Sequence, residues 1–163
     1  MRLLALIFAF AASQFVHAQK PVVKPVGEIN LDKFVGTWYL ISRLPNPIDK
    51  NMSNVVINYT RKGDKKIKET LTSTNPKGKE KTIKSTLTYK GGGIIAGPLG
   101  GKYAVAILGD NYEYFAMATT NGKYLWINGR QKTIDNNTYN SIVSTAGKMG
   151  FDVLKLEKVT HNK

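Results

Sequence analysis

The side chains that most often carry acid–base or nucleophilic chemistry are scarce in this sequence of 163 residues. It contains no cysteine and only two histidines, His17 and His161. A histidine base in a folded core, a Ser-His dyad, thiol catalysis and cysteine-ligated zinc are therefore excluded. Asp110 and Glu113 are close in sequence, but an aspartate in a turn more often caps the backbone than acts as a base. We expect no enzyme, no metal site and no cofactor.

Apolar side chains at alternate positions offer a different chemistry, the non-covalent binding of an apolar molecule. Val55, Ile57 and Tyr59 alternate with polar neighbours, and the same period recurs from residue 67 to 89 and from residue 103 to 117. A period of two places these side chains on one face of a strand. The pattern predicts successive strands that each present one apolar face.

Turn signals separate these runs at intervals of about ten residues, as short antiparallel connections require. They include Lys62-Gly63-Asp64, Asn75-Pro76-Lys77-Gly78, Gly91-Gly92-Gly93 and Asn121-Gly122. One segment departs from the strand period, because Tyr139, Ile142, Val143 and Ala146 repeat with helical spacing. Asp135 as an N-cap and Gly150 after the last turn predict a helix over about 135–149, followed by a strand over 151–159. This order indicates an all-β sandwich or up-and-down barrel.

The first 18 residues have the composition of a cleaved signal peptide. Arg2 precedes an apolar run from Leu3 to Ala12, and Val16-His17-Ala18 supplies the small side chains of a cleavage site. The run is shorter than the roughly 20 residues that span a bilayer. We therefore expect cleavage after Ala18, an extended leader over 19–27 and export to the periplasm or the medium.

Three motifs, in this order, resemble the signatures of the lipocalin family. Gly36-Thr37-Trp38-Tyr39 resembles the first signature, Asp110 to Tyr114 the second, and Tyr124 to Arg130 the third. The likeness continues through the late helix into residues 149–152, as in the bacterial and apolipoprotein-D-like branch. It implies an eight-stranded antiparallel up-and-down barrel with one C-terminal α-helix and a following short strand, formed by residues 28–163.

The resemblance also assigns structural roles to its signature residues, which are Gly36, Trp38, Asp110 and Arg130. It implies that Trp38 closes the floor of the barrel and that the Arg130 guanidinium lies over the indole. A planar cation on an aromatic face contributes about 0.5 to 2 kcal/mol, depending on desolvation. These residues are expected to stabilise the barrel rather than to contact a ligand.

Side chains that face the inside of such a barrel form its candidate binding site, because eight strands leave room for packed side chains or for one small ligand. Counting back by twos from Arg130 places Asn128, Trp126 and Tyr124 on one face, which the family pattern aligns with the cavity side. The same alternation along the other strands completes a mostly apolar set: Val55, Ile57, Tyr59, Ile67, Leu71, Ile83, Leu87, Tyr89, Tyr103, Val105, Ile107, Phe115 and Met117.

Two features fit the barrel pattern less simply. Glu69 shares the inward parity of Ile67 and Leu71, so it either faces the interior near the mouth or beside a lysine, or is turned outward by a bulge. The fifth strand is reduced to residues 94–96 between two glycine-rich turns. Either that strand is very short or the barrel wall is partly open there, and the glycines could form an entry flap.

The charge is strongly basic, with 24 Lys and Arg against 11 Asp and Glu. Residues 61–90 alone contain ten basic and three acidic side chains. Such a face either only aids solubility or attracts anionic head groups of a ligand or membrane. Because nearly all of these cations are lysines, which lack the planar fork that reads base edges, and because the chain is expected to be exported, nucleic acid is not an expected partner.

These observations predict an exported lipocalin that binds and transports or stores a small hydrophobic or amphiphilic ligand, a fatty acid or a lysophospholipid, with its head group near the loop from Leu44 to Ser53. The absence of cysteine predicts that the protein is not lipid-anchored. The alternative is a filled barrel that acts as an exported interaction module, whose lysine-rich face docks on an anionic partner or membrane surface.

Overall fold

A computed structural model describes residues 20–47 and 49–162. The predicted signal peptide and its cleavage site lie outside these residues. In chain order, the strands are β1 (Gly36–Arg43), β2 (Ser53–Arg61), β3 (Lys66–Thr74), β4 (Glu80–Gly91), β5 (Ile94–Ala96), β6 (Lys102–Leu108), β7 (Tyr114–Thr119), β8 (Leu125–Gly129) and β9 (Glu157–Lys158). The helices are α1 (Leu31–Phe34) and α2 (Asn136–Lys148), with 3₁₀ turns at Pro98–Gly100 and Val153–Lys155.

The first eight strands form a closed antiparallel barrel. Each strand pairs with the next in sequence, and β8 and β2 both pair with β1. The fifth strand has three residues, yet it bonds to β4 and β6 on its two sides. The predicted barrel is therefore confirmed, and its short fifth strand belongs to a continuous wall.

The late helix is confirmed close to its predicted bounds. The Asp135 carboxylate accepts a hydrogen bond from the Thr138 N–H, and Gly150 adopts a positive φ of 93°. Ile142 and Ala146 are buried against the outside of the barrel with Ile127 and Phe151. The helix depends on this docking, because its Asn, Ser and Thr residues are weak helix formers.

The strand predicted over 151–159 is much shorter than expected. Within this segment only the two residues of β9 form a strand, which pairs with β1, and a 3₁₀ turn precedes it. The tail then completes the seam between β1 and β2, because the Val159 N–H donates to the Ile41 carbonyl and the Asn54 N–H donates to the Thr160 carbonyl. Docking of the helix positions this tail, and the strand period in the sequence does not report that constraint.

The described part of the leader, residues 20–27, forms neither helix nor strand and lies against the barrel. The Val22 N–H donates to the Met149 carbonyl, and the Val26 N–H donates to the Val105 carbonyl. The next residue in the chain, Glu28, accepts hydrogen bonds through its carboxylate from the Tyr89 hydroxyl at 2.5 Å and from the Gly92 N–H at 2.6 Å. These bonds lower the pKa of Glu28. Within the described residues, no helix is long and apolar enough to cross a bilayer.

Candidate functional site

One end of the barrel is closed by a short helix and a group of interlocking rings. The Asn30 side chain accepts from the first backbone N–H groups of α1 and so starts this helix across the floor. Phe34 from the helix packs on Trp38 and Phe115, whose rings meet edge to face with centroids 4.6 Å apart. Trp38 is fully buried, and its indole N–H donates to the Phe34 carbonyl at 2.8 Å.

Arg130 covers this floor from outside, as the resemblance to the family implies. Its guanidinium carbon lies 3.6 Å from the centroid of the Trp38 ring. Its nitrogens donate to the carbonyls of Lys33, Thr37 and Tyr112, and burial lowers its pKa. Gly36 has a φ of 105°, and a Cβ there would lie 3.1 Å from the Arg130 Nη1. The positive φ favours glycine at this position, and a Cβ would in addition crowd the guanidinium.

Asp110, the fourth signature residue, lies exposed in the turn between β6 and β7. The Glu113 carboxylate, not that of Asp110, accepts the backbone N–H of Asn111 at 3.0 Å. The turn is closed further by the Gly109 N–H, which donates to the Tyr114 carbonyl. Among the described hydrogen bonds of this turn, the Glu113 side chain takes the capping role, and neither carboxylate lines the cavity.

The opposite half of the barrel contains a cavity of about 230 Å³. Apolar and aromatic side chains form most of its wall, and a few polar groups complete it. Its lining residues are Leu40, Asp49, Ile57, Tyr59, Glu69, Leu71, Ile83, Ser85, Leu87, Pro98, Tyr103, Met117, Trp126 and Asn128.

Most of the predicted inward residues do face the interior, but at different depths. Eight line the cavity: Ile57, Tyr59, Leu71, Ile83, Leu87, Tyr103, Met117 and Trp126. Four others, Ile67, Tyr89, Val105 and Phe115, are buried in the packed cluster around Trp38. Val55 is buried in a small cluster with Leu40 and Val159. Alternation along a strand indicates which side a residue faces, but it does not indicate the depth at which the packed core ends.

Ile107 and Tyr124 depart from the prediction. The register of β6 against β7 shifts between Val105 and Ile107, which is a bulge that inverts the alternation. Ile107 consequently packs on the outer face of the sheet, in the cluster that contains the late helix. Tyr124 precedes β8 and packs its ring on Trp126, with centroids 6.0 Å apart, without lining the cavity.

Glu69 faces the cavity, and within residues 20–47 and 49–162 no lysine forms an ion pair with it. Its Oε2 accepts from the Ser85 hydroxyl at 2.5 Å. The Tyr59 hydroxyl also hydrogen-bonds to this carboxylate, and burial followed by the charge of Glu69 raises the pKa of Tyr59 well above its usual value. Of the two predicted alternatives the inward one is therefore correct, although hydroxyl groups replace the expected lysine.

A buried ion pair holds the loop between β1 and β2 over the cavity. The Arg43 Nε lies 3.3 Å from the Asp49 Oδ1, and both side chains are 4% exposed. The Trp126 indole N–H donates to the Asp49 Oδ2 at 3.0 Å. Burial raises the pKa of Asp49, and the charge of Arg43 opposes that shift. Asp49 was not among the predicted site residues, since a single aspartate in a proline-rich loop carries no periodic signal.

The described residues contain no group of three or more His, Cys, Asp or Glu side chains that could hold a metal ion. His161 is used structurally, because its ring nitrogen lies 2.8 Å from the Leu40 carbonyl oxygen. The chemistry that this arrangement offers is the sequestration of an apolar body, with a small number of polar contacts.

Comparisons with known proteins agree with this architecture. The model of the lipocalin-like domain family matches residues 29–161. The outer membrane lipoprotein Blc of Vibrio cholerae is 27% identical over 143 residues, which cover 82% of this chain and 84% of the relative. Blc of Escherichia coli strain K12 is 27% identical over 168 residues and 95% of each chain.

A solved structure with the same fold is that of the cockroach allergen Per a 4. It has a TM-score of 0.72 and 18% identity, and the match covers 85% of this chain and 92% of the allergen. At this identity the likeness establishes the fold alone. Together with the family model and the bacterial relatives, it shows that the chain belongs to the lipocalin family.

Proposed function

We propose that this lipocalin binds a small hydrophobic or amphiphilic ligand in the cavity and carries or stores it. The observation that carries the proposal is the hollow half of the barrel, where Leu71, Ile83 and Met117 surround a void of about 230 Å³ above a packed floor. Such a space is somewhat smaller than the roughly 300 to 1,000 Å³ of most small-molecule sites. It holds about eight water-sized groups, enough for part of an acyl chain.

The proposed ligand class is a fatty acid or a lysophospholipid. Each methylene that leaves water for an apolar cavity contributes about 0.8 kcal/mol, so an acyl chain binds without a specific anchor. Lys50 in the β1–β2 loop and Lys102 at the start of β6 are exposed at the open end, where an anionic head group would emerge. The relatives named Blc are lipoproteins by name, which is consistent with a role close to lipid.

We further propose that the chain is exported through the signal peptide at residues 1–18 and reaches the periplasm or the medium without a lipid anchor. The Blc relatives are named outer membrane lipoproteins, whereas this sequence contains no cysteine to which a lipid could be attached. The intact mass of the protein recovered from an exporting host tests this. A chain that begins at Gln19 supports the proposal, and one that retains Met1 contradicts it.

The ligand itself is tested by native mass spectrometry of gently purified protein, followed by extraction and identification of bound molecules. A discrete mass excess that disappears on delipidation and matches an acyl lipid supports the carrier. A clean mass that stays unchanged after incubation with fatty acids and lysophospholipids contradicts it.

A matched pair of variants locates the binding site. Ile83→Trp places an indole in the cavity, whereas Thr82→Trp places the same side chain on the exposed face of the same strand. We expect the first variant to lose the bound lipid and the second to keep it, with both retaining the far-ultraviolet circular dichroism of the parent. Loss of lipid from both variants would argue against the cavity as its site.

A second candidate function, docking on an anionic membrane surface, is favoured by the charge of the open end. This end exposes five lysines against the exposed Glu80 and Glu157, while the acidic Asp49 is buried in its ion pair. The lysines are Lys50, Lys77, Lys79, Lys102 and Lys123. Leu99, in the turn between β5 and β6, projects fully into solvent. Lysines near a membrane contribute about 1 kcal/mol each, and an exposed leucine adds an apolar contact.

Co-sedimentation with vesicles of phosphatidylglycerol and of phosphatidylcholine tests this second function. We expect binding to the anionic vesicles alone, and a loss of it in the open-end variant Lys77→Glu/Lys79→Glu. The closed-end variant Lys62→Glu/Lys65→Glu changes the charge equally and should retain binding. Equal losses in the two variants would indicate general charge attraction without an oriented docking face.

A further inference from the structure

The polar part of the cavity wall is acidic and contains no basic side chain among the residues that the structure describes. Glu69 lines the cavity together with the hydroxyl groups of Tyr59, Ser85 and Tyr103. Its neighbours along β3 and β4, Lys68 and Lys84, are exposed on the outer face of the sheet. The carboxylate of Glu69 is therefore supported by neutral hydroxyl groups and faces the void without a cation.

The hydrogen-bond donors of the wall are nearly all used. The hydroxyls of Ser85 and Tyr59 donate hydrogen bonds to the Glu69 carboxylate, and the indole N–H of Trp126 donates to the Asp49 carboxylate. A carboxylate has about four lone-pair sites. Glu69 thus retains capacity to accept further bonds, and among the hydroxyl groups of the wall only that of Tyr103 donates to no acceptor in the described contacts.

A second, independent acceptor belongs to the same wall. Asn128 is 2% exposed, and its Oδ1 is buried without a hydrogen-bond partner in the described part of the chain. Leaving a buried acceptor unpaired is unfavourable. The cavity therefore has an excess of acceptors on two different strands, β3 and β8, and a bound molecule that donates hydrogen bonds would satisfy them.

We propose that the cavity selects an amphiphile whose buried polar group is a protonated primary amine, bound by the Glu69 carboxylate, with its apolar body against Ile57, Leu71 and Met117. An ammonium group provides three donors and a charge opposite to that of Glu69. The rings of Tyr59, Tyr103 and Trp126 in the wall also favour a cation. This inference rests on the proposed function, because it names the ligand chemistry of the same cavity.

The same arrangement disfavours a buried carboxylate. An anionic head group placed beside Glu69 would meet a like charge in a partly desolvated space and would find one free hydroxyl as a donor. A fatty acid would bind with its methyl end inward and its carboxylate at the open end. Ligands with equal chains and different head groups therefore separate the two modes of binding.

Isothermal titration calorimetry at pH 7 with octylamine, 1-octanol and octanoate tests the inference, since an eight-carbon chain matches the size of the cavity. We expect the parent protein to bind octylamine at least tenfold more tightly than octanoate, with octanol in between. Equal or tighter binding of octanoate would overturn the inference. This comparison uses the unaltered chain, so it does not depend on the folding of a variant.

A matched pair of variants assigns the selectivity to Glu69. Glu69→Gln should weaken octylamine binding at least tenfold and change octanol binding less than threefold, whereas Glu80→Gln, an exposed glutamate on β4, should change neither. Unchanged octylamine binding in Glu69→Gln would overturn the assignment. Binding of all three eight-carbon compounds without a preference for the amine would refute this inference but would still support the proposed carrier function. A protein that binds none of these compounds and no acyl lipid would refute both.

Discussion

The closed end of the barrel contains the partly buried Arg130 and the open end contains the buried Arg43, and the two arginines are stabilised differently. Arg130 lies over the Trp38 ring and donates to the backbone carbonyls of four residues, over an interior filled by interlocking rings. Arg43 instead faces the carboxylate of Asp49 above a cavity of about 230 Å³. Arg130 stabilises the packed end of the barrel, whereas the ion pair between Arg43 and Asp49 holds the β1–β2 loop in place over the cavity.

The difference shows how one set of strands provides both rigidity and a binding space. Below Tyr59, aromatic side chains of α1, β1 and β7 fill the barrel. Above it, smaller aliphatic side chains of β2, β3 and β4 leave space between them. Core packing at one end allows the other end to remain partly empty, because the fold is already stabilised by the floor.

Removal of Trp38 is expected to have the largest effect on stability. Trp38→Ala opens a hole beneath Arg130 and should lower the free energy of unfolding by about 3 to 5 kcal/mol, measured by urea denaturation. Trp126→Ala, at the partly exposed edge of the cavity, should cost less than half as much. Equal losses would contradict the division into a packed floor and a tolerant open half.

The second largest loss of stability is expected when the buried ion pair between Arg43 and Asp49 at the open end is broken. Asp49→Asn removes the charge that faces Arg43 and leaves it with the exposed Glu157 at 3.9 Å. We expect a loss of about 3 kcal/mol in the same denaturation experiment. The matched control is Asp32→Asn, which breaks an exposed ion pair with Arg61 at the closed end and should cost at most about 1 kcal/mol. Similar losses would show that the open-end pair contributes no more than a surface contact.

Alkaline pH should lower the free energy of unfolding through the Tyr59 hydroxyl in the cavity wall. Its pKa is raised by burial and then by Glu69, so the folded state resists ionisation above pH 10, whereas the unfolded chain ionises normally. Stability from this group is complete below pH 10 and falls as pH rises toward the folded-state pKa, by about 1.4 kcal/mol per pH unit. Between pH 9 and pH 11, Tyr59→Phe should therefore lose about 1 kcal/mol less than the parent in parallel denaturation curves. Identical losses would contradict the buried position of this hydroxyl.

The smallest effect on stability is expected at Leu99. It is fully exposed and has a φ of 54°, a region that asparagine tolerates better than leucine. Leu99→Asn should leave the free energy of unfolding within about 0.5 kcal/mol of the parent. Binding to phosphatidylglycerol vesicles should weaken, and unchanged vesicle binding would remove Leu99 from the proposed docking face.

Local signals in the sequence were accurate where they describe short-range constraints. Asp135 and Gly150 predicted the late helix to within a residue or two, because a cap and a left-handed glycine act on their own turn. The inward orientation predicted for Ile107 was wrong, because the bulge in β6 reverses the alternation and no distinctive residue marks that bulge. Asp49 was missed because its partners, Arg43 and Trp126, come from two other segments of the chain.

The amino-acid pattern was sufficient for the family, the barrel and the inward face of most strands, because strand alternation, turn residues and the Trp38 and Arg130 motifs are local features. It was not sufficient for the depth of the cavity, the environment of Glu69 or the β1–β2 loop held by Asp49. Those features depend on which side chains from distant strands meet and how much volume they leave. The distances between strands depend on packing of the whole barrel. The size and lining of the cavity are therefore determined only by the tertiary structure.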